Sequence, residues 1–226
     1  VTAPRHKLAP IARVGQISAG VGALLLGHVE FLGRTLVELS RVLLRPHTLR
    51  VHELFAQLGQ VGVNAIPVVA LVTFLIGVVM AYMLGLQAEK YGANIFVVDG
   101  VALGITREFS PLIVATIMAG RSGAAFTAQL GTMKLTEEID AIRTLGLSAP
   151  QVLVVPRVLA LVLTLPLLVF VGNVAGLAGA MVMSNLTLDI TPQTFMERLH
   201  VALAPRHYVI GLGKSPVFAL FIAIIG

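Results

Sequence analysis

Cysteine and tryptophan are both absent from the 226 residues. Without cysteine there is no disulfide and no thiolate metal site. Without tryptophan, an aromatic belt at a membrane interface must be built from tyrosine and phenylalanine. Charge is scarce as well. Only 12% of the residues are charged, against about 25% in an ordinary soluble domain. Apolar residues fill the difference, at 57% of the chain, with a mean hydropathy of +0.92. A soluble core of this length cannot hide so much apolar surface. Several apolar runs also exceed the roughly 18 residues that suffice to span a bilayer. The expected fold class is therefore an all-α integral membrane protein.

The net charge is +5. The basic residues stand mainly beside apolar runs, which suits anionic lipid headgroups better than nucleic acid. Residues 1–60 hold seven of the sixteen lysines and arginines. Between Ile17 and Leu44, apolar Leu25, Val29, Leu32, Leu36, Leu39 and Val42 recur at helical spacing. Glu30, Arg34, Glu38 and Arg41 take the other side. This pattern predicts a basic amphipathic helix lying in the interface plane; a soluble helix packed on a further domain is the alternative.

Residues 61–226 read as a transmembrane domain with four spans: 61–86, 95–119, 158–186 and 208–226. The N-terminal region and the 121–157 segment carry seven and four basic residues, whereas the connections near 90 and 198 carry one and two. The positive-inside rule puts the first pair in the cytoplasm and the second pair outside. The segment 188–207, broken by Pro192 and Pro205, has room for a short amphipathic helix. Both ends read as cut: the chain begins at Val1 and stops at Gly226 within an apolar run, so a C-terminal segment is expected beyond it.

Arg107 and Glu108 fall inside the second expected span, and Lys214 inside the fourth. A charge at bilayer depth costs roughly 2.5–3.5 kcal/mol on insertion scales, so it faces a partner or a wet cavity. Neighbouring helical residues point about 100° apart, so Arg107 and Glu108 are not expected to neutralise each other. A Glu108–Lys214 contact, or Arg107 on a lipid phosphate, accounts for the charges. Pro111 frees a backbone carbonyl nearby. Small residues recur at a spacing of four in Gly172, Gly176, Ala180 and Ser184, and again in Gly123, Thr127 and Gly131. Such stripes let helices approach closely, within one subunit or across a dimer.

Gly131–Leu147 predicts one short cytoplasmic amphipathic helix. Leu135, Ile139 and Ile142 share a face, Glu137, Glu138 and Asp140 load the first half, and Arg143 the second, as the helix dipole prefers. Gly146 suits the helix end.

Two other motifs fail. Gly213-Lys214-Ser215 resembles the end of a phosphate-binding loop, but the required first glycine falls on Tyr208 and Pro216 interrupts the following helix. Gly120-Arg121-Ser122-Gly123 resembles an intramembrane serine-protease motif, but no histidine lies between His52 and His200 to activate the serine.

Three stretches carry a resemblance: GVVMAYMLGLQ (77–87), ITREFSPLIVATIMAGRSGAAFTAQLGTMKLTEEIDAIRTLGLSAPQVLVVPRVLA (105–160) and GKSPVFA (213–219). They closely resemble the MlaE/YrbE family, the permease subunits of MCE-associated ABC transporters that move phospholipid between inner and outer membranes. The resemblance implies a homodimer in a bacterial inner membrane. It implies a separate MlaF-like ATPase carrying ATP and magnesium, with no cofactor in this chain. That ATPase would dock on 131–147, making Glu137, Glu138, Asp140 and Arg143 coupling residues. It further implies a periplasmic MlaD-like MCE hexamer and, in some assemblies, an MlaB-like STAS protein. Arg107, Glu108 and Lys214 map to the polar lining of the family's lipid cavity, with Tyr82 and Leu86 on the neighbouring first span. No catalytic or metal residue is expected. The family's fifth span has no counterpart here. Two rivals stay open: an ion-coupled secondary transporter using Glu108, although no inverted repeat is visible, and a non-transporting anchor for an MCE assembly.

Overall fold

The computed structural model describes residues 51–226 apart from 147, 149 and 226, together with scattered positions between 15 and 40. The chain divides into two units, residues 1–48 and 49–226. In the first, every described position is helical, and Glu30 pairs with Arg34 one turn on. Such an exposed pair adds a few tenths of a kcal/mol. Leu26, Val29 and Val37 are exposed. Leu25, Leu32, Leu36, Glu38, Leu39, Arg41 and Val42 lie outside the described residues.

In the second unit the described elements are all helical. Helix α1 (Val51–Val61) leads through a tight turn, Val63–Ala65, into α2 (Ile66–Glu89). Pro67 stands in the first turn of α2, where a missing N–H breaks no helical bond. Helix α3 (Phe96–Gly104) continues through a wide π turn, Ile105–Phe109, into α4 (Ser110–Met118). A second π turn, Ala119–Gly123, leads into α5 (Ala124–Leu135). Next come α6 (Glu138–Thr144), a π turn at Pro150–Val154, and α7 (Val155–Leu188). Helices α8 (Pro192–Ala202) and α9 (Pro205–Ile225) complete the unit. Among the described residues three helical stretches are long and apolar enough to cross a membrane: Leu54–Glu89, Phe96–Leu135 and Val152–Leu188. Helix α9 occupies the place of the fourth expected span, and α8 the place of the short outer helix.

The helix of the second span does not end near Ala119. Phe96–Leu135 is helical over 40 residues, about 60 Å of helix against roughly 30 Å of hydrocarbon. The polar composition after Arg121 therefore marks where the helix leaves lipid, not where it stops. Conversely, the continuous helix expected over 131–147 is broken. Helix α5 ends at Leu135 and Glu137 takes a left-handed conformation with φ of 59°. The Thr136 hydroxyl lies 3.1 Å from the Thr132 carbonyl and 3.0 Å from the Glu138 carboxylate, competing locally with helix continuation. The break also separates Leu135, which is exposed, from the face of Ile139 and Ile142. Gly146, at φ of 72°, takes the left-handed position expected after a helix end.

Large apolar side chains cover the outside of the helices as well as their core, unlike in a soluble domain. Leu71, Leu75, Val79, Leu163, Leu167 and Phe170 face outward, whereas Thr73, Thr106, Ser110 and Asn173 are buried. Lipid takes the apolar face, and close backbone contact with internal hydrogen bonds holds the helices together. The hydroxyls of Thr73 and Thr106 donate to carbonyls one turn back, each at 2.7 Å. Ser110 crosses between helices to the Val169 carbonyl at 3.1 Å.

The tightest seam joins α2 and α7. A Cβ at Gly77 would stand 1.9 Å from the Gly176 carbonyl oxygen, and one at Gly179 would stand 2.1 Å from that of Phe74. Gly172, Gly176, Ala180 and Ser184 are thus consumed within the chain: Ala180 and Ser184 are fully buried, and Gly172 faces Thr73, Ser110 and Val114. Of the two arrangements open for this stripe, packing inside one subunit is the one observed. In the other stripe, Gly131 meets open space and Thr127 is exposed.

Candidate functional site

The π turn at Ile105–Phe109 and the middle of α9 build one charged cluster. The Lys214 ammonium lies 2.7 Å from Glu108 Oε2, the contact anticipated from sequence. It also lies 3.2 Å from the backbone carbonyl of Arg107, to which it donates. Arg107 Nε is 3.3 Å from Glu108 Oε1, so these neighbours do touch, but they do not simply neutralise each other, because Glu108 also reaches Lys214 on another helix. A π turn rotates less per residue than an α turn, and both side chains are long enough to close the remaining gap. The cluster is accessible from outside the chain, with side-chain exposures of 47%, 58% and 37% for Arg107, Glu108 and Lys214. Two cations against one carboxylate leave a single net positive charge.

Close backbone contact sets the cluster's geometry. A Cβ at Gly211 would stand 2.1 Å from the Thr106 carbonyl oxygen. Glycine at this point brings α9 near enough for Lys214, one turn on, to reach the π turn.

Below the cluster, the same two helical columns enclose an apolar groove of about 340 Å³, lined by Leu112, Ala115, Thr116 and Ala119 on one side and Phe218 and Phe221 on the other. Leu112 lies one turn beyond Glu108, and Phe218 one turn beyond Lys214. The groove therefore continues the charged cluster toward α5. Tyr82 and Leu86, one turn apart on α2, are exposed; the ion-pair cluster itself is built from the second span and α9. Glu137, Glu138 and Asp140 are exposed at the break between α5 and α6, while the Arg143 side chain lies outside the described residues.

Sequence reasoning missed two arginines. Arg198 on α8 pairs with Asp99 on α3 through both carboxylate oxygens, its Nε at 2.8 Å from Oδ1, and lies over the Phe96 ring at 5.3 Å. The Asp99 carboxylate holds the Arg198 pKa above its ordinary value. The available signal was the placement of Asp99 and Arg198 on the same membrane side. Arg198→Ala should free α8 from the span. Amide exchange across Pro192–Ala202 should quicken several-fold while α2 and α7 keep their protection; unchanged exchange in α8 argues against a latch. Arg157, in turn, is buried, with its guanidinium 5.4 Å from the Phe126 ring centre. A buried arginine stacked on an aromatic face ties α7 to α5.

Residues 54–226 match the sequence profile of the family described as Permease MlaE. The chain is 36% identical over 169 residues to a probable ABC transporter permease protein of Rickettsia bellii, covering 75% of this chain and 65% of the relative. A probable ABC transporter permease protein of Synechocystis is 34% identical over 170 residues, with the same coverage. The chloroplastic protein TRIGALACTOSYLDIACYLGLYCEROL 1 of Arabidopsis thaliana is 33% identical over 169 residues, covering 75% of this chain and 48% of that protein. The match thus spans somewhat less than two thirds of the bacterial relatives' length and about half of the plant one.

Proposed function

The chain belongs to the MlaE permease family, and from that premise we propose that it is the membrane subunit of an ABC transporter moving phospholipid between the inner and outer membranes of a bacterial envelope. The observation that carries this reading is the amphiphilic shape of the site. A net positive cluster borders an apolar groove on the same two helical columns. A phospholipid has the matching order of parts: an anionic phosphate, then an acyl chain. From Glu108 to Ala119 the helix advances about 16 Å, a distance on the scale of one extended acyl chain. Arg107 is the phosphate ligand of this cluster, because guanidinium offers a planar donor fork to phosphate oxygens. Tyr82 and Leu86 line the cavity from the first span when two copies of the permease face each other.

Transport then needs no covalent chemistry in this chain. ATP and magnesium bind a separate cytoplasmic ATPase, which docks at the exposed acidic break carrying Glu137, Glu138 and Asp140, with Arg143 on the following turn. Nucleotide-driven movement there passes along α5 into the π turns of the same helical column and changes the access of the cluster. On the opposite side an MCE hexamer continues the lipid path, and a STAS protein attaches to the ATPase.

The test is reconstitution of the full-length protein with its ATPase in liposomes. Fluorescent phospholipid should pass to acceptor vesicles only with ATP; transfer without the ATPase, or driven by an imposed proton gradient, sinks the reading. Replacing Glu137 and Glu138 together by lysine should remove the ATPase from the purified complex and the ATP dependence with it. Undiminished co-purification would place the docking surface elsewhere.

A further inference from the structure

In a regular α-helix the carbonyl of Arg107 accepts a hydrogen bond from the N–H of residue 111. Residue 111 is proline, which has no N–H, and its ring crowds the carbonyl four residues back. Just before this proline the helix is widened. Ile105–Phe109 is a π turn, and the Ser110 N–H reaches back five residues to the Ile105 carbonyl. The Arg107 carbonyl then receives a donor from another helix: Lys214 Nζ, at 3.2 Å. The same ammonium holds Glu108 Oε2 at 2.7 Å. An ammonium carries three donors, so it can serve both acceptors at once. Gly211 makes this reach possible by letting α9 touch the Thr106 carbonyl.

We propose that Lys214 is a positioning residue whose ammonium replaces the backbone donor that Pro111 lacks, and so fixes the π turn that presents Arg107. The lysine and the proline are then one device, 103 positions apart in sequence. This assigns Lys214 a role other than headgroup contact. Presentation of Arg107 to a phosphate rests on the lipid reading above; the bond to the carbonyl does not.

The experiment is a double-mutant cycle in the full-length protein, read as thermal midpoint in detergent and as phospholipid retained on purification. Lys214→Met should lower both. In a Pro111→Ala background, where residue 111 again has an N–H, the same substitution should lose at most half as much midpoint. Exchanging the charges, Glu108→Lys with Lys214→Glu, keeps an ion pair but removes the donor to the carbonyl. It should fail to restore the midpoint alone and restore it with Pro111→Ala. If Lys214→Met does not accumulate alone, its recovery in the Pro111→Ala background is the expected result, and failure to accumulate in both backgrounds overturns the proposal. Equal losses in both backgrounds, or full rescue by the charge exchange alone, overturn the proposal. Absence of phospholipid on the unmutated protein counts against the lipid reading only, because the coupling in thermal midpoint is measured without it.

Discussion

Alanine at Gly77 is expected to lower the recovery of monodisperse, helix-packed protein at least tenfold, whereas alanine at Gly213 should leave recovery unchanged or slightly improved. The added atom is the same in both, one methyl carbon. At Gly77 it would stand 1.9 Å from a backbone carbonyl oxygen of α7 and 3.1 Å from the Ala180 nitrogen. Neither neighbour can rotate away, so the two helices must separate along their whole seam. Overpacking a fitted interface costs roughly 1–3 kcal/mol and sometimes more, and here the seam joins the two most apolar spans. At Gly213 a Cβ meets nothing within 4 Å, and alanine in a helix interior gains roughly 0.5–1 kcal/mol over glycine. Gly179 and Gly211 should behave like Gly77, because each faces a carbonyl oxygen at 2.1 Å. Gly176 should be milder, because the atom it meets at 2.9 Å belongs to the Ile105 side chain, which can change rotamer. Thermal midpoints in detergent for these five alanine variants test the ranking. Similar losses at Gly77 and Gly213 would show that the seam does not hold the fold.

This ranking shows what can be read from sequence and what cannot. The period of four in Gly172, Gly176 and Ala180 announces a close helix contact, but it does not name the partner helix. That choice lies in Gly77 and the Phe74 carbonyl, which have no signature of their own in a run as apolar as 66–89. The spans were legible because bilayer thickness sets a minimum apolar length, and α7 lies within a few residues of 158–186. The true end of the second span's helix was not legible. Hydropathy reports the solvent around a helix, and a helix passing from lipid to water changes composition without changing its hydrogen bonds. The helix break at Thr136–Glu137 was hidden for a related reason. Glutamate is a good helix former, and its left-handed conformation here is set by local hydrogen bonding rather than by a glycine that would have marked it.

In the charged cluster the residues were legible and the geometry was not. Three ionised side chains in apolar runs pointed to Arg107, Glu108 and Lys214 by cost alone. Their arrangement depends on a π turn at Ile105–Phe109, which no charged residue announces. A regular helix over 105–111 points Arg107 and Glu108 about 100° apart, and it does not foretell their 3.3 Å contact. The Asp99–Arg198 pair escaped notice because Asp99 alone is an ordinary charge in a helix's first turn and Arg198 alone an ordinary charge on a short helix outside the spans.

Reversing the charge at Arg107 should have the largest effect on lipid. With Arg107→Glu the cluster passes from one net positive charge to one net negative charge, while Glu108 keeps its 2.7 Å partner Lys214. A phosphate is then repelled where it was attracted. At about 4 Å and an effective dielectric near 20, each unit of charge is worth up to about 4 kcal/mol. Solvent reaching this half-exposed site screens most of that, but about 1.4 kcal/mol suffices for a tenfold change in binding. Phospholipid retained per permease, measured by mass spectrometry after purification, should therefore fall at least tenfold in Arg107→Glu. Arg107→Lys should fall by less, because it keeps the charge and loses only the two-pronged donor geometry. The thermal midpoint should move little in either, since the Arg107 side chain contributes to the cluster through a single 3.3 Å contact. The separation between the two readouts is the point of the comparison. A structural arginine would lose midpoint and lipid together, a lipid ligand loses lipid alone, and a permease that keeps its full lipid complement with glutamate at this position holds its cargo somewhere other than this cluster.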